Sequence, residues 1–329
     1  VTFENKTILI TGGTGSFGQR FVRTMFESDN PPKLAVLSRD EYKQSEMAKR
    51  FPTGRYPIRY FIGDIRDAER LHRAFDGVDH VIHAAALKQV PALEYNPFEA
   101  VKTNILGAEN IANAALDRGV TSVIALSTDK AVNPVNLYGA TKLAMEKIFV
   151  AANAYSGSHP TAFAIVRYGN VAGSRGSVIP HFSHLLSEGA QRLPVTDARM
   201  SRFWLDLDES VALVVHALEN ARGGEVFVPK IPSMKITDLV EAMRPGCPID
   251  VVGIRPGEKL HETLVSEDEA RTTVDAGRHY VIRPAFSFRG QQLTADDAAT
   301  PVPEGFVYRS DTNPDWLTPE DLRERMKGL

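Results

Sequence analysis

Short apolar runs recur through the first half of the chain, each closed by small or polar residues and followed by a stretch of helical periodicity. The runs Thr7–Ile10, Lys33–Leu37, Arg59–Ile62, His80–Ala84, Ser122–Ser127 and Ala162–Arg167 read as strands. Between them, Phe17–Glu27, Glu41–Arg50, Ala68–Phe75, Pro97–Arg118 and Tyr138–Tyr155 read as helices. This alternation predicts an α/β fold with a doubly wound parallel sheet. After about Gly173 the texture changes: glycine and proline punctuate shorter elements, and charged residues gather in loops. The expected division is a sheet-bearing unit over residues 1–172, with a later return near 209–228, and a smaller lobe formed mainly by 173–329. No internal repeat or low-complexity tract interrupts the pattern.

Composition narrows the class. Of 329 residues, 43% are apolar, enough for a sizeable core, and the net charge of −3 without a basic tract argues against general nucleic-acid binding. The single cysteine, Cys247, rules out an internal disulfide framework and suits a reducing compartment. No apolar run reaches the roughly 18 residues of a membrane span. The stretch Val1–Lys6 runs into the first strand without a signal-peptide core, so a cytoplasmic protein with no membrane partner is expected.

Chemistry enters at the end of the first strand. In Thr11-Gly-Gly-Thr-Gly-Ser-Phe-Gly18, the residues Gly13, Gly15 and Gly18 fit G-x-G-x-x-G, while Gly12, Gly15 and Gly18 fit G-x-x-G-x-x-G. A strand, a glycine turn and a helix start in this order form a Rossmann-like dinucleotide site, in which backbone N–H groups at the helix N-terminus meet pyrophosphate. Ser38, Arg39 and Lys43 follow the second strand, about 20 residues past the glycines, where an arginine accommodates a ribose 2′-phosphate. That favours NADP; an Asp40 turned back toward the ribose would instead suit NAD.

Tyr138 and Lys142 lie four apart on a predicted helix and therefore share a face. A lysine ammonium beside the phenol would favour phenolate and equip Tyr138 to take a proton from a sugar hydroxyl. Such a pair is common on solvated helices, but here it follows a nucleotide-binding loop. The candidate residues also share a placement. Gly63-Asp64, Ala84-Ala85-Ala86, Thr128-Asp129-Lys130 and Tyr168-Gly169-Asn170 each follow a predicted strand, at the carboxyl edge where ligands of such sheets bind.

Together these motifs resemble the extended short-chain dehydrogenases/reductases. Within them, the chain is similar to the soluble, inverting UDP-N-acetylglucosamine 4,6-dehydratases that begin pseudaminic acid synthesis. The likeness covers nearly the whole chain and is carried by the glycine loop, Ser38–Glu41, Lys43–Met47, His83–Lys88, Ser127–Lys130, Asn136–Lys142, Arg167–Asn170, Gly173–Val178 and Arg255–Glu262. The resemblance implies a UDP-sugar substrate, an NADP cofactor, a homo-oligomer and a hidden redox cycle. Tyr138 deprotonates the 4-hydroxyl as C4 gives up hydride. Water then leaves across C5 and C6, hydride returns to C6, and C5 is reprotonated on the opposite face.

In this scheme Asp-Lys replaces the Asp-Glu of many relatives acting on deoxythymidine-diphosphate glucose. Lys130 becomes the base at C5 and Asp129 the acid at C6, with Thr128 at the 4-hydroxyl. Lys130 would have to be neutral, and burial together with the Lys142 charge is expected to depress its pKa. The likeness also implies cofactor contacts from Gly12, Thr14, Gly15, Ser16, Phe17, Gly18, Asp64, Ile65, Ala84, Ala86, Lys88 and Thr103. Asn170, Val178 and Ile179, with Lys88, would meet the nucleotide sugar. Arg202 and Arg255 suit the diphosphate, since guanidinium forks match phosphate oxygens, and either could equally be a solvated or core-bracing arginine. Glu258 suits the uridine ribose. The histidines show no His-Glu-x-x-His helix and Cys247 has no partner cysteine, so no metal site is expected. A nucleotide-sugar 4-epimerase on the same scaffold is the main alternative. A non-enzymatic nucleotide sensor would have no need of all four of Asp129, Lys130, Tyr138 and Lys142.

Overall fold

The computed structural model describes residues 3–157, 159–174, 176–286 and 299–328. Arg175, within the Gly173–Val178 motif, lies outside the described residues. Six parallel strands form the centre: β1 (Thr7–Thr11), β2 (Lys33–Ser38), β3 (Ile58–Ile62), β4 (His80–His83), β5 (Ser122–Thr128) and β6 (Ala162–Tyr168). Their spatial order is β6-β5-β4-β1-β2-β3, and both neighbours of β1 run parallel to it. Strand order thus reverses between β1 and β4, which opens a crevice at the carboxyl edge. Every residue of β1, β5 and β6 is buried, as expected of strands covered on both faces.

The helices follow their apolar spacing. On Ser16–Phe26 the buried positions are Gly18, Phe21, Val22 and Met25, one stripe at helical period facing the sheet. Helix Leu137–Tyr155 begins at an Asn136 cap whose side chain accepts from Gly139 N at 2.8 Å. The single helix expected over Pro97–Arg118 is instead three segments, Pro97–Ala100, a π-helical Val101–Leu106 and Gly107–Asp117. The wider turn carries the buried Thr103 and Asn104, and Asn104 braces Leu87 through both its backbone N–H and its carbonyl, each at 2.9 Å.

The chain returns to the sheet more often than the pattern after Gly173 predicts. Helix Leu207–Asn220 leads to Val226–Pro229, which pairs parallel with β6. Beyond it, His279–Ile282, Thr273–Asp275 and Thr300–Pro301 extend the sheet antiparallel, to ten strands among the described residues. These added strands are two to four residues long, too short to carry a readable alternation. A second apolar cluster, including Phe182, Leu193, Trp204, Met234, Leu239 and Leu322, packs apart from the sheet core. Among the described residues no helix is long and apolar enough to cross a membrane.

Candidate active site

A cleft of about 1260 Å3 runs along the carboxyl edge and is lined by all of the expected site residues except Asp129. At one end it meets the glycine loop. Gly12 has φ +67°, and a Cβ there would lie 2.9 Å from the backbone N and Cα of Ala85. A Cβ on Gly18 would sit 2.3 Å from the carbonyl oxygen of Gly13, so the helix can start this close to the turn only with glycine. Thr14 and Ser38 share a hydrogen bond of 2.9 Å across the loop.

Arg39 is half exposed on the rim, 3.6 Å from the Asp64 carboxylate. Burial opposes ionisation of Asp64, but hydrogen bonds and charge from Arg66, with Arg39 behind them, hold its carboxyl below the usual range. Asp40 caps the helix Glu41–Arg50, accepting from Lys43 N at 2.9 Å, and its carboxylate is ion-paired with the Lys43 ammonium. It is therefore committed to its own helix rather than turned toward a ribose. Thr103 Oγ1 is buried without a hydrogen-bond partner and lines the same cleft. A glycine cradle closed to any Cβ, an orphaned hydroxyl and a cationic rim fit a phosphate-bearing dinucleotide.

The centre of the cleft is built where β5 ends. Thr128 caps the short 3-10 turn Asp129–Ala131, and its hydroxyl donates to Asp129 Oδ1 at 2.9 Å. Lys130 Nζ donates to the same Oδ1 at 3.0 Å and to Asn170 Oδ1 at 3.3 Å. Asp129 is fully buried, and its Oδ2 has no hydrogen-bond partner. Burial raises the Asp129 carboxyl above the ordinary range; Lys130 opposes this and Glu262 adds to it. A carboxyl whose protonated form is favoured in this way is suited to take up a proton and pass it on.

Two electrostatic expectations are corrected here. Lys130 is not depressed toward neutrality. Burial does disfavour its ammonium, but Asp129 and then Glu262 outweigh burial and raise its pKa. Tyr138 is not eased toward phenolate by Lys142. Burial raises the phenol, Lys130 is the cation that opposes the rise, and Thr128 assists it by hydrogen bonding. Lys142 shares the helix face, but its ammonium donates 2.6 Å to the carbonyl of Leu126 and lies 3.0 Å from Met145 Sδ. Burial lowers Lys142 to about 8, with Glu146 opposing. A long side chain can follow the face and still deliver its charge to a strand carbonyl, which residue spacing does not reveal.

Toward the second lobe, Val178 and Ile179 open the helix Val178–Ser187, and Lys88 is lowered by burial and by the Lys130 charge. Arg202, expected at a diphosphate, is occupied by the protein itself. Its guanidinium donates to the carbonyls of Ser201 (2.7 Å), Leu260 (3.1 Å) and Lys259 (3.1 Å), and stands 3.7 Å from Glu262. It lines the cleft as a bracing arginine, whereas Arg255 is exposed at the rim with Glu258 beside it. Glu262 was missed as a site residue. It ends the Arg255–Glu262 motif, yet only the fold brings it 3.5 Å from Lys130 Nζ. Lys259 was missed as well; it lines the cleft and donates to the Val132 carbonyl at 2.5 Å. Beneath the floor, buried Arg167 joins Glu146 (2.6 Å) to Glu269 (2.8 Å), and Ser127 donates to Glu146 at 2.5 Å, which fixes the end of β5. No cluster of His, Cys, Asp and Glu able to hold a metal occurs among the described residues.

Residues 8–284 match the family described as polysaccharide biosynthesis protein. A UDP-N-acetylglucosamine 4,6-dehydratase (inverting) of Campylobacter jejuni is 51% identical over 98% of this chain and 97% of its own length. A UDP-glucose 4-epimerase of Rickettsia typhi is 43% identical over 85% of this chain and 83% of its own. Among solved structures, Pen from Bacillus thuringiensis superposes with a TM-score of 0.90 at 38% identity, covering 100% of this chain and 99% of its own. DesIV, a dTDP-glucose 4,6-dehydratase of Streptomyces venezuelae solved with NAD, gives 0.68 at 25% identity over 77% of this chain and 86% of its own. The chain belongs to the polysaccharide biosynthesis protein family, and within it to the lineage of the inverting UDP-N-acetylglucosamine 4,6-dehydratases.

Proposed function

We propose that this protein is a UDP-N-acetylglucosamine 4,6-dehydratase that inverts C5, giving UDP-2-acetamido-2,6-dideoxy-β-L-arabino-hexos-4-ulose. The observation that carries the reading is the fully buried Asp129 3.0 Å from the half-buried Lys130, beside Tyr138 at a cleft that also holds a dinucleotide cradle. The relative of 51% identity over nearly its full length supports the same activity. Glycine loop, Ser38, Arg39, Lys43 and Thr103 would hold a nicotinamide dinucleotide, which when bound accepts hydride from C4 and returns it to C6.

The chain's own groups do the proton work. Tyr138 takes the proton of the sugar 4-hydroxyl as the phenolate, the form that the Lys130 charge favours against burial. The 4-ketone acidifies C5–H, and Lys130 receives that proton once its ammonium has passed one to the Asp129 carboxylate, 3.0 Å away. Asp129, whose protonated form burial favours, gives the proton received from Lys130 to the departing C6 hydroxyl. An epimerase needs Tyr138 and the dinucleotide but no elimination acid, so a buried carboxyl with a raised pKa beside Lys130 favours dehydration even though epimerases stand among the relatives. The product suits the opening step of pseudaminic acid synthesis.

The test is incubation with UDP-N-acetylglucosamine in deuterated water, followed by proton NMR. A new C6 methyl signal with deuterium at C5 and an L-arabino product is expected. UDP-N-acetylgalactosamine without a methyl signal would move the assignment to epimerase, and an unchanged substrate would remove both.

The cofactor preference proposed is NADP, because Arg39 stands free of the helix that binds up Asp40 and Lys43. Arg39→Ala is expected to weaken NADP by about 10-fold or more, the worth of one charge-assisted hydrogen bond, and to leave NAD within about 2-fold. Isothermal titration checks this; equal losses for both dinucleotides would refute a 2′-phosphate contact.

A further inference from the structure

Lys130 sits between two buried carboxylates, and the mechanism above uses only Asp129. The other is Glu262, 2% exposed, whose Oε1 lies 3.5 Å from Lys130 Nζ and 3.7 Å from Arg202 Nε. Its position is fixed from the far side of the chain. Its backbone N–H donates to Ser310 Oγ at 3.0 Å, Ser310 N–H returns a bond to the Glu262 carbonyl at 2.9 Å, and Ser310 Oγ is 2.8 Å from Ser201 Oγ. The next residues, Thr263–Val265, pair with Tyr308–Arg309. Arg202 is in turn held by three carbonyls, so it cannot follow if Glu262 moves. Glu262 Oε2 is buried without a hydrogen-bond partner.

A buried carboxylate kept unsatisfied on one oxygen is costly, and such cost persists where charge is useful. Asp129 alone gives Lys130 an ion pair at 3.0 Å. A second, rigidly tethered carboxylate adds little to orientation but much to the local potential.

Resting on the dehydratase reading, we propose that Glu262 is a positioning residue that acts through Lys130, fixing where along the pH scale the Asp129–Lys130 pair exchanges its protons. The charged and titratable groups facing this pair are Glu262, Arg202, Lys259, Lys88 and Tyr138. Of these, Glu262 supplies the negative charge and the others are cationic or neutral. Its charge favours the protonated form of both Asp129 and Lys130. The acid–base couple therefore titrates at higher pH than it would with a neutral neighbour. Glu262 itself stays ionised: burial opposes this, but Lys130, Arg202 and Lys259 hold its carboxyl below the usual range.

The experiment is the pH profile of kcat for C6-methyl formation, comparing the full-length protein with its Glu262→Gln variant. Both limbs of the variant's profile are expected to move acidward together by about one pH unit, a roughly 10-fold change in proton affinity. KM should change far less than kcat at neutral pH. A lower profile with both limbs in place would mark a merely structural role and overturn the proposal. Glu262→Asp withdraws the charge by one methylene and should give a smaller acidward shift. If the Gln variant does not fold, limbs unmoved in the Asp variant overturn the proposal. Wild-type protein forming no methyl product would instead bring down the dehydratase reading itself.

Discussion

Lys130→Ala is expected to keep the dinucleotide bound and to lose C6 deoxygenation. Loss of a positioned base removes about 10²–10⁴-fold in kcat, and the low dielectric around Lys130 puts this site toward the upper end. The glycine loop, Thr14–Ser38 contact and Arg39 rim lie at the other end of the cleft and touch neither Lys130 nor its partners. Cofactor affinity should therefore stay within about 2-fold. The truncation leaves Asp129 and Glu262 without the cation between them, so the Asp129 carboxyl will be raised further. Lys130→Arg should not rescue, because a guanidinium keeps its proton in a protein and cannot accept one from C5. Product NMR with deuterium incorporation at C5 checks both variants. Near-wild-type methyl formation or C5 exchange by Lys130→Ala would remove Lys130 as the base.

Gly139→Ala should be nearly as damaging, although the residue carries no chemistry. A Cβ on Gly139 would stand 2.0 Å from the carbonyl oxygen of Lys130 and 2.9 Å from its carbonyl carbon. Both obstacles are backbone, so no side chain can swing aside. Either helix Leu137–Tyr155 withdraws from the turn Asp129–Ala131, or the turn shifts; each separates Tyr138 from Lys130. Overpacking of this kind costs about 1–3 kcal/mol, and a displacement near 1 Å at the reacting groups costs about 10²-fold in rate. Alanine otherwise favours a helix interior over glycine by about 1 kcal/mol, so on propensity alone the substitution would stabilise. Urea unfolding and the rate of methyl formation decide the sign. Unchanged stability together with an unchanged rate would mean the two elements are not held in this contact.

These two cases also show how far the residues could be read before folding. The six parallel strands were legible because buried strands such as Thr7–Thr11 and Ser122–Thr128 write themselves as continuous apolar runs, and strand ends moved by only a residue. The cleft lining was legible because α/β chains place ligand contacts just after each strand. What stayed hidden depends on pairing at long range. The antiparallel edge, with Thr273–Asp275 against His279–Ile282 and Thr300–Pro301, has too few residues per strand for a period. The switch to a π-helical turn at Val101 has no strong local signal, since no proline or glycine stands there; Gly107 marks only the return to α-helix.

The amino-acid sequence by itself determined the doubly wound sheet, the glycine cradle and the grouping of Thr128, Asp129, Lys130, Tyr138 and Lys142 at one edge, because these follow from local periodicity and from chain order. Only the tertiary structure decided the charges within that group. Glu262 reaches Lys130 across 132 positions of chain and helps keep it an ammonium, while Lys142 spends its charge on the Leu126 carbonyl. Arg202 is bound up by carbonyls of Lys259 and Leu260, likewise remote in sequence. A pKa responds to every charge within a few ångströms and to the water that packing has excluded, and neither quantity exists until the distant segments meet.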